Sequence, residues 1–297
     1  MSQTLVSGRR PRETLSYLNW LINPYHGLDV TQVYDLLADR SPTRGLYLNL
    51  GYWDQAESLD EACQALAALM ADAAEMGPED CVLDVGFGFA DQDLFWARAY
   101  RPKQIIGLNI TASQVAVARR RVAELGLDDR IDLRLGSATR MPIEDATIDK
   151  VVAMESAFHF DTRQAFFEEA FRVLRPGGRL VLADILPMPK VAGTWRRIEH
   201  WWSWRQTAGK FRVPVDNFYT RDQYPARLAA AGFGESRVVS IRDQVYRPLH
   251  EYLAGHREGL SRLHPALRLA IGIALRIDAD RIYRGLDYVL ATAEKPA

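Results

Sequence analysis

Residues 82–92 read VLDVGFGFADQ and join an apolar run to a helical pattern through two glycines. The run at 81–86 predicts a short buried strand, and the pattern at 91–100 predicts a helix. Gly86 and Gly88 allow the backbone to approach a ligand closely at the start of that helix. The stretch therefore predicts a strand–loop–helix unit with a ligand at the edge of a sheet.

The same alternation of strand and helix continues downstream. Further strands are predicted at 104–109, 131–136, 148–154 and 179–185. A helix at 111–125 is predicted to open with Thr111 and Gln114 and to close at Gly126, and a helix at 163–174 precedes the turn sequence RPGG. This order predicts a parallel sheet covered on both faces, with ligands beyond the carboxyl ends of its strands.

Two helices are predicted before the sheet, at 31–40 and at 58–76. The second begins with the capping-box pattern of Ser58 and Glu61 and stops at Gly77. After residue 185 the regular alternation stops, and the predicted elements are a helix at 221–231, a strand at 236–242, a helical region at 248–277 and a last strand at 286–293. We divide the chain into N-terminal helices with an active-site loop (1–77), a ligand-binding core (78–185), an inserted lid for the second substrate (186–235) and C-terminal elements that complete the sheet (236–297).

The composition is that of an ordinary globular protein, with 48% hydrophobic and 25% charged residues among 297. The formal net charge of −1 does not favour nucleic acid as a partner. Cys63 and Cys81 lack a CxxC or His-rich context, so we expect no disulfide framework and no metal, and a reducing cytoplasm. The N-terminus lacks a continuous apolar core, and no uncharged run reaches the ~18 residues of a membrane span.

The glycine loop departs from the dinucleotide fingerprint GxGxxG, because Asp91 stands where the third glycine is required. A carboxylate at that position would repel a pyrophosphate. Asp84, two residues before the first glycine, adds a second carboxylate near the loop. This charge pattern favours a ligand with an ammonium or sulfonium group, and S-adenosylmethionine (SAM) carries both.

Five motifs in this order resemble the class I SAM-dependent methyltransferases: LNLGYW, VLDVGFGFADQDLFW, ESAFHF, VLRPGGRLVLADI and VPVDNFY. The resemblance covers roughly residues 31 to 293. The chain is similar to a subgroup that includes the erythromycin and rebeccamycin sugar O-methyltransferases and mycobacterial fatty-acid O-methyltransferases. It implies an α/β fold: a doubly wound, mostly parallel, seven-stranded Rossmann-like sheet with N-terminal helices and an inserted helical lid. It also implies SAM as cofactor and S-adenosylhomocysteine as product.

The resemblance assigns these residues to the cofactor: Tyr47, Tyr52, Trp53, Asp84, Gly86, Gly88, Gln92, Asn109, Ile110, Gln114, Ser137, Ala138 and Glu155. The LNLGYW loop is expected to fold over the cofactor, and Trp53 has core packing as its alternative. Asn109 stands where the family often has an acid that holds the ribose hydroxyls, and its amide can still bond a diol without charge. A turn cap is an equal alternative for Ser137.

The resemblance implies that His159 and Asp184 act at the acceptor. His159 follows the fourth strand, and histidine titrates near neutral pH, which suits removal of a hydroxyl proton. Asp184 is expected to orient His159 or to anchor the substrate. Glu155 is expected to contact the cofactor, to cap the next helix, or to stabilise a carbocation. For His159 the alternatives are a helix cap and a core residue.

The segment 193–219 is expected to be a lid over a lipophilic acceptor. The residues expected to contact that acceptor are Trp195, Trp201, Trp202, Trp204 and Phe211. Lid-to-sheet packing, a homodimer contact and transient contact with a membrane surface are alternatives, the last also for the apolar stretch 264–277. The expected function is O-methylation of a hydroxyl or carboxylate of a natural product or fatty acid. C-methylation of a prenyl acceptor and SAM binding without transfer are the alternatives.

Overall fold

The computed structural model describes residues 45–256 and 271–297. In these residues one seven-stranded sheet has the order β3-β2-β1-β4-β5-β7-β6. Its strands are β1 (Cys81–Val85), β2 (Gln104–Asn109), β3 (Ile131–Leu135), β4 (Ile148–Met154), β5 (Leu174–Pro187), β6 (Ser236–Ser240) and β7 (Leu286–Glu294). β1 to β5 are parallel, and β7 runs antiparallel between β5 and β6. The predicted doubly wound, mostly parallel sheet is confirmed.

Helices cover both faces of the sheet. They are α1 (Leu59–Ala73), α2 (Asp91–Ala99), α3 (Ala112–Glu124), α4 (Arg163–Val173), α5 (Thr194–Lys210), α6 (Tyr224–Ala230), α7 (Arg242–Gly255) and α8 (Ala279–Ile282). One core lies under α1, α2 and α3, and the other lies under α4 and α6. Strand side chains alternate between the two cores: Val181 and Ala183 of β5 join the first, whereas Leu180 and Leu182 join the second.

The predicted starts of α1 and α3 differ in outcome. α1 has the predicted capping box, in which Ser58 accepts from the backbone of Glu61 and the side chain of Glu61 accepts in return. The predicted opening of α3 is wrong in its detail. Thr111 stands at the N-cap without a side-chain bond, and Gln114 instead accepts from Asn109 at the end of β2.

Two boundaries also differ from the predictions. β5 begins at Leu174, and RPGG forms an irregularity inside it: pairing with β4 jumps from Ile148–Leu174 to Lys150–Arg179. The glycine at 177 has a positive φ of 77°, which bends the strand without ending it. α7 begins at Arg242, before the predicted start at 248. Pro248 therefore lies inside the helix rather than in its first turn, where proline is favoured.

Some predictions fall outside the described residues. The predicted helix at 31–40 lies there, as do parts of the helical region 248–277 and of the apolar stretch 264–277. The division of the chain into four regions stays a prediction.

Candidate active site

A cavity opens at the carboxyl ends of β1, β2 and β4, where a parallel sheet binds its ligands. The predicted cofactor residues that line it are Gly86, Gly88, Gln92, Asn109, Ile110, Gln114, Ser137, Ala138 and Glu155. His159 lines it as well. Sequence reasoning did not single out several other lining residues, among them Leu46, Leu48, Asn49, Thr111, Thr139, Met154, Ser156, Phe160 and Asp161.

The two glycines of the first loop form a cradle that no side chain would fit. Gly86 has φ of +93°, and a Cβ atom there would lie 2.4 Å from Cβ of Ser156. Gly88 has φ of +57°, and its Cβ would lie 3.1 Å from a methyl group of Leu48. The backbone of this loop can therefore approach a ligand closely at the start of α2.

Replacing Gly86 by alanine should weaken SAM binding at least about tenfold, because the new methyl group must displace Ser156 and strain the backbone. Gly177→Ala is the matched control. Gly177 also has a positive φ, of 77°, but no atom lies within 4 Å of its Cβ position. Calorimetric titration measures the affinity of both variants for SAM. Thermal unfolding shows separately whether either substitution destabilises the fold. Equal SAM affinities in the two variants would refute the cradle.

Asp84 does not line the cavity. It is fully buried and accepts a hydrogen bond of 2.9 Å from Nε2 of Gln92, which does line it. Burial raises the pKa of Asp84, and burial together with the charge of Asp84 raises the pKa of the neighbouring Asp93. Asp84 therefore holds the side chain of Gln92, and its expected position beside the cofactor stays a prediction.

An amide pair occupies the end of β2, where the family often has an acid. Nδ2 of Asn109 donates to Oε1 of Gln114 over 2.8 Å, and Oδ1 of Asn109 accepts from the backbone N–H of Thr111. Nε2 of Gln114 is buried and has no hydrogen-bond partner in the described structure. The pair therefore presents an amide donor to the cavity, which fits the hydroxyl groups of a ribose.

The loop of the LNLGYW motif covers the cavity, but not with the residues that the sequence suggested. Leu46, Leu48 and Asn49 line the cavity, whereas Tyr47, Tyr52 and Trp53 do not. The three aromatic residues thus lie outside the wall of this cavity, and their contact with the cofactor stays a prediction. The lining residues at 46 and 48 alternate with position 47, as expected for extended backbone.

The aromatic residues of this loop hold it to the rest of the fold. Trp53 is buried, packs 4.9 Å from the ring of Tyr252, and donates from Nε1 to the carbonyl of Leu50. Tyr52 is held by its backbone, whose N–H donates to the carbonyl of Ala62. The core-packing alternative for Trp53 describes this geometry.

Three carboxylates hold the loop by accepting hydrogen bonds from its backbone. Asp60 accepts from the N–H of Gly45, Asp91 accepts from that of Leu46, and Glu155 accepts from that of Leu50. Asp91 is also paired with Arg121 at 2.6 Å. Nothing in the local sequence indicates these bonds, because the partners lie up to 105 residues apart.

Glu155 sits at the end of β4 in a left-handed backbone conformation with φ of +47°. One oxygen accepts both the N–H of Leu50 at 2.6 Å and the hydroxyl of Tyr288 at 2.7 Å. Burial raises the pKa of Glu155 to about 7, although both hydrogen bonds oppose that change. Glu155 thus lines the cavity and also holds the loop that covers it.

The raised pKa of Glu155 should make the stability of the fold depend on pH. Its pKa in the folded chain, about 7, exceeds the ordinary value of 4.5. The native state therefore gains stability that is complete below about pH 4.5 and is lost as the pH rises through 7. Between pH 4.5 and 8, we expect the unfolding free energy of the wild type to fall by up to about 3 kcal/mol relative to Glu155→Gln.

Urea unfolding across this pH range measures the difference. Glu168→Gln, which changes an exposed carboxylate on α4, is the control and should run parallel to the wild type. Parallel curves for the wild type and Glu155→Gln would contradict the assignment.

His159 ends a short 3-10 turn, Ala157–His159, directly after Ser156. Its ring packs 4.2 Å from that of Phe158 and 6.3 Å from that of Phe211. Burial, followed by the positive charge of Arg163, lowers the pKa of His159 to about 4. The imidazole is therefore in its base form at pH 7, although a pKa of about 4 makes it a weaker base than an ordinary histidine.

Asp184 lies on the other side of the sheet from the first core, and the expectation that it orients His159 is corrected. It is fully buried and contacts Nε of Arg163 at 2.8 Å and the hydroxyl of Tyr224 at 2.9 Å. The reason is the alternation of β5: its neighbours Ala183 and Ile185 point to the first core, so Asp184 points to α4 and α6.

Asn217 connects this buried ion pair to the turn of His159. Its side chain donates to the carbonyls of Phe158 and Phe160, on either side of His159. It also accepts from the backbone N–H of Arg163, whose guanidinium donates to the carbonyl of Asn217. In the described part of the chain, Arg163 and Asn217 therefore link Asp184 to the turn of His159. Asn217 lies in the VPVDNFY motif, yet no local signal indicates this role.

The five lid residues separate into three environments. Trp204 is buried and packs against Phe218, with ring centroids 5.1 Å apart, as in the lid-packing alternative. Phe211 contacts the ring of His159. The side chains of Trp195, Trp201 and Trp202 are 79%, 54% and 48% exposed, and none of the five lines the cofactor cavity.

Among the described residues, no group of three or more His, Cys, Asp and Glu side chains is placed to hold a metal ion. Cys63 and Cys81 are free thiols. The helices in the same parts of the chain are too short or too polar to cross a bilayer.

Comparison with known proteins agrees with this geometry. Residues 83–182 match the family described as a methyltransferase domain. The chain is 36% identical to erythromycin 3''-O-methyltransferase of Saccharopolyspora erythraea, over 89% of each chain. It is 32% identical to 27-O-demethylrifamycin SV methyltransferase of Amycolatopsis mediterranei, over 90% of this chain and 97% of the relative.

Two solved structures share the fold. The cyclase SpnF superposes with a TM-score of 0.69 at 26% identity, over 90% of this chain and 95% of the other. Geranyl diphosphate C-methyltransferase from Streptomyces coelicolor has a TM-score of 0.66 at 20% identity, over 90% and 97% of the two chains.

Proposed function

Because the chain belongs to the class I SAM-dependent methyltransferases, we propose that it methylates a hydroxyl group of a lipophilic natural product, with His159 as the base. The observation that carries this proposal is a half-buried imidazole, neutral at pH 7, in the wall of the cofactor cavity. Both relatives described above are named as methyltransferases of natural products, and one of them as an O-methyltransferase. These names support an acceptor of that class.

The lining residues fit SAM as the cofactor, which supplies a methyl group already activated on a sulfonium. We assign the backbone of Gly86 and Gly88, with the side chain of Gln92, to its methionine portion. The amide of Gln114, held by Asn109, would donate to its ribose hydroxyls, and Ser137 would lie near its adenine. The buried Nε2 of Gln114, which lacks a partner in the described structure, supports this orientation.

In the proposed reaction, His159 would remove the proton of the acceptor hydroxyl as the new oxygen–carbon bond forms and the carbon–sulfur bond of the sulfonium breaks, with S-adenosylhomocysteine as the leaving group. The proton moves to an imidazole nitrogen, and alignment of the acceptor oxygen with the methyl group supplies the remaining acceleration. A carboxylate acceptor is already ionised at pH 7, so His159 would only position it. The loop over the cavity, held by Glu155, would exclude water from the transfer.

C-methylation is the second candidate, since Glu155 in the cavity wall has the charge that a carbocation requires. However, one of its two oxygens already accepts two hydrogen bonds, and burial raises the pKa of Glu155 to about 7. A carboxyl group that is often neutral at pH 7 is a weak partner for a cation. We therefore favour transfer to oxygen.

The exposed tryptophans of α5 support contact of this face with a membrane surface. Trp195, Trp201 and Trp202 are accompanied by the exposed cations Arg196 and Arg197. Aromatic and basic side chains on one helix favour an anionic lipid interface. Sedimentation with phosphatidylglycerol vesicles tests this part. A doubled mass in solution without vesicle binding would assign the face to a homodimer instead.

Transfer from isotopically labelled SAM to a matched acceptor panel tests the proposed function. The panel combines hydroxylated glycosides, medium-chain fatty acids and prenyl diphosphates, with products read by mass. We expect label on a hydroxyl compound. Label only in an ester of a fatty acid would reduce His159 to a positioning role. Tight SAM binding without transfer to any acceptor would favour a binding protein.

A further inference from the structure

A second cavity lies between α5 and the segment that follows β5. Its volume is about 630 Å³, within the usual range for sites that bind small molecules. In the described part of the chain it shares no lining residue with the cofactor cavity. Arg197 and Trp201 of its wall also lie on the helix proposed above to contact a membrane, but no role assigned above places a ligand in this cavity.

Most of the wall is apolar. Met188 lines one side, and Ile198, Trp201 and Trp204 of α5 line another. Phe218 completes this surface and packs edge-on against Trp204. Such a wall favours a ligand with a hydrocarbon or ring body.

The charged groups of the cavity are all cationic. Lys190 and Arg197 line it, and none of its lining residues in the described structure is acidic. Thr194, the first residue of α5, also lines it, and the first turn of this helix has neither an acidic residue nor a side-chain cap. The unsatisfied N–H groups and the dipole of a 17-residue helix add to the positive potential.

The acidic residue of α5 does not offset these charges. Glu199 does not line the cavity, and its carboxylate is bound to Arg281 at 2.8 Å and to Arg284 at 2.9 Å. His200 lines the cavity, but its Nε2 is bonded to the carbonyl of Met188. The site therefore combines an apolar wall with two cations, Lys190 and Arg197, and with the N-terminus of a helix.

We propose that this cavity binds a lipophilic organic anion, with its acid group at Lys190, Arg197 and the start of α5 and its apolar body along Trp201 and Phe218. The ligand class follows from the charge and the walls of the cavity alone. It does not depend on methyl transfer, and its test needs no SAM.

Titration with dodecanoate, followed by tryptophan fluorescence below the micelle concentration, tests the proposal. We expect saturable binding at least about tenfold tighter than for dodecyltrimethylammonium, which has the same chain and the opposite charge. Lys190→Glu and Arg197→Glu should each weaken dodecanoate binding about tenfold. Arg196→Glu is the matched control, because Arg196 is exposed next to Arg197 but does not line the cavity.

Each outcome separates the possibilities. Equal binding of the two amphiphiles, or equal losses in Arg196→Glu and Arg197→Glu, would overturn the proposal. Binding to phosphatidylglycerol vesicles without binding of monomeric dodecanoate would assign the cations to a lipid surface and would also overturn it. Loss of methyl transfer in an Arg197→Glu variant that still binds dodecanoate normally would contradict the site as well.

Discussion

His159→Ala should lower kcat for a hydroxyl acceptor about 10²- to 10⁴-fold, which is the usual contribution of a general base. Burial and the charge of Arg163 keep the imidazole neutral at pH 7, so the wild type holds the base form without titration. Because His159 lines only one side of the cofactor cavity, the affinity for SAM should change little. Steady-state kinetics and calorimetry with SAM give the two quantities separately.

His256→Ala is the matched control, since His256 is exposed and stacks on Tyr252 at the end of α7. It should leave both quantities within about twofold. With a carboxylate acceptor, His159→Ala should lose much less activity, because no proton has to be removed. Equal losses with both acceptors, or a loss of SAM affinity that accounts for the whole effect, would contradict the role of His159 as a base.

Asp184→Ala should destabilise the fold by about 3 to 5 kcal/mol, the usual effect of leaving a buried charge without its partner. Arg163 and Asp184 both have fully buried side chains and contact each other at 2.8 Å. The substitution also removes the acceptor for the hydroxyl of Tyr224. Urea unfolding at pH 7 measures the change.

The double variant Asp184→Leu/Arg163→Met provides the control. It removes both charges and replaces them with apolar side chains, so it should be markedly more stable than Asp184→Ala alone. Its kcat should stay low, because Asn217 loses the guanidinium that holds it beside the turn of His159. A loss below about 1 kcal/mol in Asp184→Ala would contradict the buried pair, and a normal kcat in the double variant would contradict its positioning role.

The sheet could be predicted from the sequence because each buried parallel strand is a short apolar run that ends at a turn signal. The run at 81–86, with Gly86 and Gly88, also located the cofactor cavity, since glycine adopts a positive φ in a strand-to-helix turn without steric strain. These are local features, and local patterns are what a single sequence contains.

The corrections concern side-chain direction and long-range contacts. The end of β5 was located, but which face of the sheet Asp184 points to depends on the register of the strand. The same holds for the loop over the cavity, where Leu48 faces inward and Trp53 packs against α7. The bond between Glu155 and Leu50 joins residues 105 apart, and no local pattern indicates it.

The lid shows the same limit in another form. Its aromatic composition indicated an apolar environment, but not which tryptophan is buried. Trp204 is buried and packs against Phe218, whereas Trp195 on the same helix is exposed. The assignment of lid side chains to an acceptor needs the three-dimensional contacts.

The most direct test of oxygen methylation is the position of a ¹³C-labelled methyl group in the product. The wild-type protein is incubated with SAM labelled at the methyl carbon and with the best acceptor of the panel, and the product is examined by ¹³C NMR. We expect one new signal in the region of methyl groups bound to oxygen, and its loss in His159→Ala. A labelled methyl group bound to carbon would contradict the account.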